Sequence, residues 1–237
     1  MGAQTTERES RFLASNGETK VQKTKYPFHF QAQVGTGLQT GYARGVQLLI
    51  QNNRIATPVE QVSSVIKRNG QRYITAGTIS LFQEPTNHIN FVFPKAIYVY
   101  AGMNTLNPVA NYTPLSFVNT LTLDPKYEKR IAFEDYDNYN NLLSYLIDGL
   151  RSSYDWNRVV FDNLAFSYLK SETANLGASP SLTKNYGYKI PLIGIINVQQ
   201  ANGLFTNYEY DDIGRLTKIR DNKGNIVKSY SYNYRNQ

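Results

Sequence analysis

Few side chains in this sequence have the type and spacing to make or break a bond. Glu134, Asp135 and Asp137 form a small acidic cluster that could hold calcium or serve a hydrolase as acid and base. Their spacing is not that of a calcium loop, and carboxylates that stabilise a turn explain the same letters. His88 precedes an expected strand and has no second histidine or cysteine nearby, so no metal site or proton relay follows from it. Gly35-Thr-Gly37-Leu-Gln-Thr-Gly41 is one residue off a dinucleotide fingerprint and lacks the strand–helix setting such a fingerprint needs. There is no Gly-x-Ser-x-Gly elbow, no Walker loop and no His-Glu-x-x-His. With no cysteine and two histidines, disulfides and thiolate chemistry are excluded and a structural zinc has no ligands. The expectation is a protein that is not an enzyme and uses no cofactor and no metal.

Tyrosine is what the sequence has in quantity: 19 of them, against 11 Phe and a single Trp. At the C-terminal end they alternate. Tyr208 and Tyr210 fall on one face of a strand, and Tyr230, Tyr232 and Tyr234 on one face of another. Such ladders brace neighbouring hairpins, each cross-strand pair contributing about 0.2–1 kcal/mol. They could also present rings for stacking on sugar units, which makes Tyr208, Tyr210, Tyr230 and Tyr232 the candidate binding residues.

The elements that would position these rings are β-strands at 205–210, 215–220 and 226–234. Between them lie Asp211-Asp-Ile-Gly214 and Asp221-Asn-Lys-Gly224-Asn225, with Asn202-Gly203 just upstream. Each supplies an Asx side chain and a glycine able to take positive φ. The plan occurs twice. Tyr136-Asp137-Asn-Tyr-Asn140-Asn-Leu142 matches Tyr210-Asp211-Asp-Ile-Gly214-Arg-Leu216, and asparagine at 140 can replace glycine because it also visits the left-handed region. Asp148-Gly149 and Tyr154 then follow the first copy as Asp221 to Gly224 and Tyr230 follow the second. A lone hairpin unit cannot bury its apolar face, so copies must stack or find a partner.

The pattern Tyr208-x-Tyr210-Asp211-x-x-Gly214-Arg215-Leu216-x-x-Ile219-x-Asp221-x-x-Gly224-Asn225 resembles the YD repeat of the RHS family of large bacterial exported proteins. Pro191-Leu-Ile-Gly194, followed by Asn202-Gly203-x-x-Thr206-x-Tyr208, is similar to the run-in to the final repeat in surface proteins of that family from certain Gram-negative bacteria. Residues 130–156 resemble a second, diverged repeat, and 53–61 a segment such proteins carry upstream. The resemblance implies β-hairpins spiralling into a strip or hollow shell, and it supplies no catalytic residues.

The expected fold is therefore mainly β: antiparallel YD-type hairpins in an open strip or partial shell, with one short helix. Residues 1–25 read as a disordered tail, 26–125 as a β-rich segment, and 126–237 as the diverged and C-terminal repeats. Within the middle segment, 26–34 suits a first strand and 35–41 a hinge. Residues 42–51 fit a short helix or a buried strand, and the resemblance favours the helix. Asn69-Gly70 signals a hairpin between 59–67 and 72–82, and Pro94 in the strand 91–100 signals an edge or bulge. Residues 104–125 and 171–184 read as linkers.

Partners follow from the same features. The net charge of +7 is scattered over the chain, which fits solvated loops and lysine-guarded sheet edges and gives no nucleic-acid stripe. The expected partners are further YD repeats or another protein, with acidic surface polysaccharide as the second choice. No run of about 18 apolar residues could cross a membrane as a helix. Residues 1–12 lack the apolar core of a signal peptide. An extracellular or cell-surface protein is expected, its export signal upstream in a longer product of which this chain is a fragment. The functional expectation is a structural or adhesion fragment docking by strand pairing. Acidic-glycan binding and the remnant of a toxin-encapsulating shell are the alternatives.

Overall fold

Turn chemistry sets the topology. The computed structural model describes residues 8–37, 39–86, 89–102, 107–161, 164–174, 181–189 and 194–233. Among them, one three-residue hairpin loop recurs at 14–18, 67–71, 137–141, 200–204, 211–215 and 221–225. In each, the first residue's N–H donates to the fifth residue's carbonyl, and the fourth residue's N–H donates back to the first residue's carbonyl. The fourth residue always has positive φ: Gly17, Gly70, Asn140, Gly203, Gly214 and Gly224. A left-handed residue after a tight turn adds the twist that returns a strand antiparallel to its neighbour. The Asp148-Gly149 turn instead has φ of 49° and 83° at its two residues, the two-residue form of the same solution.

The chain falls into two units, Met1–Glu134 with Leu146–Gly149, and Asp135–Tyr145 with Leu150–Gln237. The first unit opens with β1 (Arg8–Leu13) and β2 (Thr19–Lys25). A 3-10 turn (Pro27–Phe30) and two helices follow, α1 (Gln31–Val34) and α2 (Gly41–Gln51). Next come β3 (Glu60–Ile66), β4 (Arg72–Gln83), β5 (Phe93–Tyr100), the two-residue β6 (Asn107–Pro108) and β7 (Tyr127–Tyr136). The antiparallel order is β1-β2-β3-β4-β5-β7, with β6 beside β4.

The helices cover one face of this sheet, the two-layer solution for burying an apolar face. Phe30, Val34, Val46, Leu48 and Leu49 pack with Ile79, Leu81, Ala96, Tyr100 and Tyr127 in a single core. Helix and sheet approach so closely that a Cβ on Gly45 would lie 2.0 Å from the Phe82 carbonyl oxygen. Arg44, 8% exposed, forks onto Glu84 at 3.1 and 3.2 Å and also donates to Gln47 and Asn90. Glu60, 1% exposed, is paired with Lys25 at 2.5 Å and accepts from the Tyr112 hydroxyl at 2.8 Å and the Leu115 N–H at 3.2 Å. Burial raises the Tyr112 phenol far above its usual range, so it stays protonated and donates.

The described residues of the second unit carry strands only: β8 (Leu142–Ile147), β9 (Leu150–Phe161), β10 (Leu164–Ala174), β11 (Leu182–Lys189), β12 (Gly194–Gln199), β13 (Phe205–Tyr210), β14 (Leu216–Arg220) and β15 (Ile226–Ser229). They pair in chain order as an antiparallel meander. Among the described residues of this unit only Ser144 and Val198 are buried. The described residues form one layer, held by cross-strand pairs such as Tyr168–Tyr188, with ring centroids 5.2 Å apart, and Thr173–Thr183, whose hydroxyls are 3.0 Å apart. In neither unit does the strand order close on itself, so the fold is an open, mainly antiparallel β structure with two short helices.

Several expectations are corrected. Residues 8–25 are not disordered: Asn16-Gly17 turns them into the β1–β2 hairpin, with Val21 and Thr24 buried. Residues 27–34 are helical rather than a strand, because Pro27, Phe30 and Val34 recur at helical spacing and are all buried there. Residues 107–125 are not a linker, since they belong to the first unit and Leu115, Phe117 and Asp124 are buried in it. Ser171–Ala174 and Leu182–Lys184 are strand ends, not loop. The boundary between units falls at Glu134, inside β7, and not near 125. Helix α2 and the β3–β4 hairpin lie where expected, and Pro94 sits opposite Phe82 at a register shift, the bulge its ring requires.

Candidate functional site: the open edge and its turns

The residues singled out from the two repeat copies meet in one recurring device. In the first copy the Asp137 carboxylate accepts the N–H of Tyr139 at 2.8 Å and of Asn141 at 2.9 Å on one oxygen, and the Asn141 side-chain amide at 2.8 Å on the other. In the second, Asp211 accepts the N–H of Ile213 at 3.1 Å and of Arg215 at 2.9 Å on one oxygen, with the Arg215 guanidinium at 2.6 Å on the other. Asp221 repeats the pattern with Lys223 and Asn225. Three donors on one carboxylate favour its charged form, and Asp211 and Asp221 are held below the ordinary carboxylate range by these bonds. The loops at 16, 69 and 202 use asparagine at the third position instead, accepting the fifth residue's N–H.

Tyrosine fills the sheet face ahead of the Asp137 and Asp211 turns. Burial pushes the Tyr136 phenol up to about 12, and burial also raises Tyr210, whose hydroxyl donates to the Ile195 carbonyl at 2.8 Å. The copies agree further along. The carbonyl of Leu142 accepts the Trp156 indole N–H at 2.8 Å, and the carbonyl of Leu216 accepts the Tyr232 hydroxyl at 2.8 Å. Arg158 lies over the Tyr139 ring at 3.7 Å, and Arg215 over the Tyr232 ring at 4.9 Å. An aromatic ring from further along the chain, Trp156 or Tyr232, thus clamps the start of the strand after the Asp137 and Asp211 turns.

The tyrosine ladder is only partly as expected. Tyr208 and Tyr210 are half-buried on β13, and Tyr230 is half-buried just beyond β15. Tyr232 is 44% exposed, with its hydroxyl engaged by Leu216 of β14 and its ring by Arg215 of the preceding turn. Strand β15 ends at Ser229, shorter than the alternation suggests, and Tyr234 lies outside the described residues, as do His88 and 191–193. The acidic cluster is dispersed. Asp137 belongs to its turn, while Glu134 and Asp135 are consecutive on β7 and therefore point to opposite faces. Among the described residues no three His, Asp or Glu gather as metal ligands.

What remains is an edge. All four β15 residues are exposed, with Ile226 at 52% and Val227 at 67%, and among the described residues β15 pairs only with β14. The Tyr230 N–H donates inward to the Thr217 carbonyl, so the Ser229 N–H, one residue earlier, points to the free side. An exposed row of strand donors and acceptors can take another strand.

No known protein family and no curated protein matches the chain. Solved structures similar to it include two crystal structures. The crystal structure of TcdB2-TccC3-Cdc42 shares 12% identity at a TM-score of 0.36, covering 97% of this chain and 14% of that one. The crystal structure of TcdB2-TccC3 without its hypervariable C-terminal region shares 11% identity at 0.27, covering 94% of this chain and 12% of that one. The chain spans about a seventh or less of the structures it matches. At this similarity neither likeness bears on function.

Proposed function

We propose that this chain is a non-enzymatic structural and adhesion module of a repeat-built exported protein, and that it works by accepting a further β-hairpin repeat at β15. One observation carries the reading: among the described residues, β15 of the single-layer repeat sheet is fully exposed and pairs on one side, with β14. A strand added there extends the ladder through its main chain. Ile226 and Val227 would pack against side chains of the added repeat. The reading also accounts for the turns. Each carboxylate-braced loop presents its hairpin in a set register, which stacking of successive units requires.

The test uses a fluorescein-labelled peptide of residues 205–230 as the incoming repeat, titrated with the whole chain and followed by anisotropy. Saturable binding is expected. Ser229→Pro removes one outward donor, about 1 kcal/mol, and should weaken binding roughly five-fold with the melting temperature unchanged. Val227→Lys should weaken it as well, by charging the edge. An anisotropy that does not rise over the soluble range of the protein, or that ignores both substitutions, rules the edge out.

A further inference from the structure

Away from that edge, the second unit carries a cleft of about 330 Å³ that none of the expected binding residues lines. Its origin is a register. Strands β9, β10 and β11 set Tyr154, Glu172 and Lys184 side by side in one cross-strand row. On the same face, two residues along each strand, Ser152, Ala174 and Leu182 form the next row. Long side chains in the first row beside the short Ser152 and Ala174 leave a trough. Tyr145 of β8 bounds its end, with its ring centroid 5.7 Å from that of Tyr154 and the planes 32° apart. A volume near 330 Å³ is at the lower end of small-ligand pockets, roughly 300 Å³ upward.

The lining selects a ligand class. Glu172 and Lys184 pair at 3.0 Å, so the trough holds one charge of each sign and no net charge. Both side chains remain about a third exposed, 37% and 36%, and keep hydrogen-bonding capacity toward the opening. Burial, together with a hydrogen bond to Tyr145, keeps the Tyr154 phenol protonated, and burial also raises Tyr186 beside Glu172. An anionic ligand would meet the Glu172 carboxylate with no compensating excess of cations. A purely apolar one would strip water from an ion pair and return nothing for it. A ring with one C–H face and neighbouring hydroxyls satisfies every group: the face lies on tyrosine, and adjacent hydroxyls donate to Glu172 and accept from Lys184.

We propose that this trough is a binding site for one neutral pyranose unit of a glycan, held on Tyr154 and bridged between Glu172 and Lys184. It differs in place and in ligand charge from an acidic-glycan site on the C-terminal tyrosines, and it stands independently of docking at β15.

The chain carries its own reporter. Its single tryptophan, Trp156, has its ring centroid 6.3 Å from that of Tyr154. The whole chain would be titrated with cellohexaose, maltohexaose and chitohexaose as neutral probes and with a galacturonic acid hexamer as the acidic one, reading Trp156 emission. At least one neutral hexamer should give a saturable change that persists at high salt, with no comparable change from the acidic hexamer. Glu172→Gln keeps the shape and removes the charged acceptor, and should weaken binding about ten-fold. Tyr154→Phe keeps the ring and should retain most of the binding. Ser229→Pro should leave it unchanged, separating this site from the edge. No saturable change with any neutral hexamer, tighter binding of the acidic one, or full affinity in Glu172→Gln would each overturn the proposal.

Discussion

Asp137, Asp211 and Asp221 show how much work one carboxylate performs in a repeat turn. Each braces a five-residue turn, the three-residue loop with its two flanking residues, whose fourth position must take positive φ, and the chain uses both residues suited to it: Asn140 at 71° and Gly214 at 81°. No atom lies within 4 Å of where a Gly214 Cβ would project, so a substitution there meets only backbone strain. Gly214→Asn should be nearly neutral, whereas Gly214→Val should cost about 1–2 kcal/mol in urea unfolding. Asp137→Ala, which removes bonds to two N–H groups and an amide, should cost roughly 1–2 kcal/mol by the same measurement. Protonation acts on these turns in one direction. Because the folded-state values of Asp211 and Asp221 lie below the ordinary 3.8, their contribution is complete above that pH and is lost as pH falls through the depressed folded values. The melting-temperature gap between wild type and the Asp211→Asn, Asp221→Asn double variant should be full at neutral pH and close below that range.

At the scale of elements, the first unit depends on two close fits. Gly45 lets α2 lie almost against the β4 backbone, so Gly45→Ala must push the helix away and should destabilise by about 1–3 kcal/mol. Glu60 is the acceptor that lets the Lys25 ammonium and the Tyr112 hydroxyl sit beside the core. Glu60→Ala takes the acceptor from Lys25, from the Leu115 N–H and from the Tyr112 hydroxyl, which keeps the Tyr127 hydroxyl at 3.1 Å, and should cost about 3–5 kcal/mol, seen as a lower urea midpoint. Elements whose periods lie in consecutive residues were readable: β13 runs from Phe205 to Tyr210 as the alternation indicates, and Asn69-Gly70 joins β3 to β4. The segment 26–34 misleads because its aromatics suit a strand by propensity while Pro27, Phe30 and Val34 keep a helical spacing, and burial under the sheet settles it. Residues 107–125 look like a linker by composition, yet Leu115 and Phe117 find the core.

Across the whole molecule the two units differ in what holds them. One buries a continuous core beneath helices; the other is a bare sheet dependent on cross-strand pairs and turns. Amides of Ile79 and Leu81 should therefore exchange with solvent only on global opening, while those of β13–β15 exchange by local opening, orders of magnitude sooner, in hydrogen-exchange mass spectrometry. Equal protection of the two would contradict the single-layer description. The duplicated Tyr-Asp turns and the antiparallel hairpins could be read from the letters, because loop geometry and strand period are local properties of a few neighbouring residues. The trough of Tyr145, Tyr154, Glu172 and Lys184 could not. Its members stand on four strands, and a shift of one residue in any pairing would turn a side chain to the opposite face. Register between distant strands is a property of the assembled sheet, and it was the folded chain that made those four side chains neighbours.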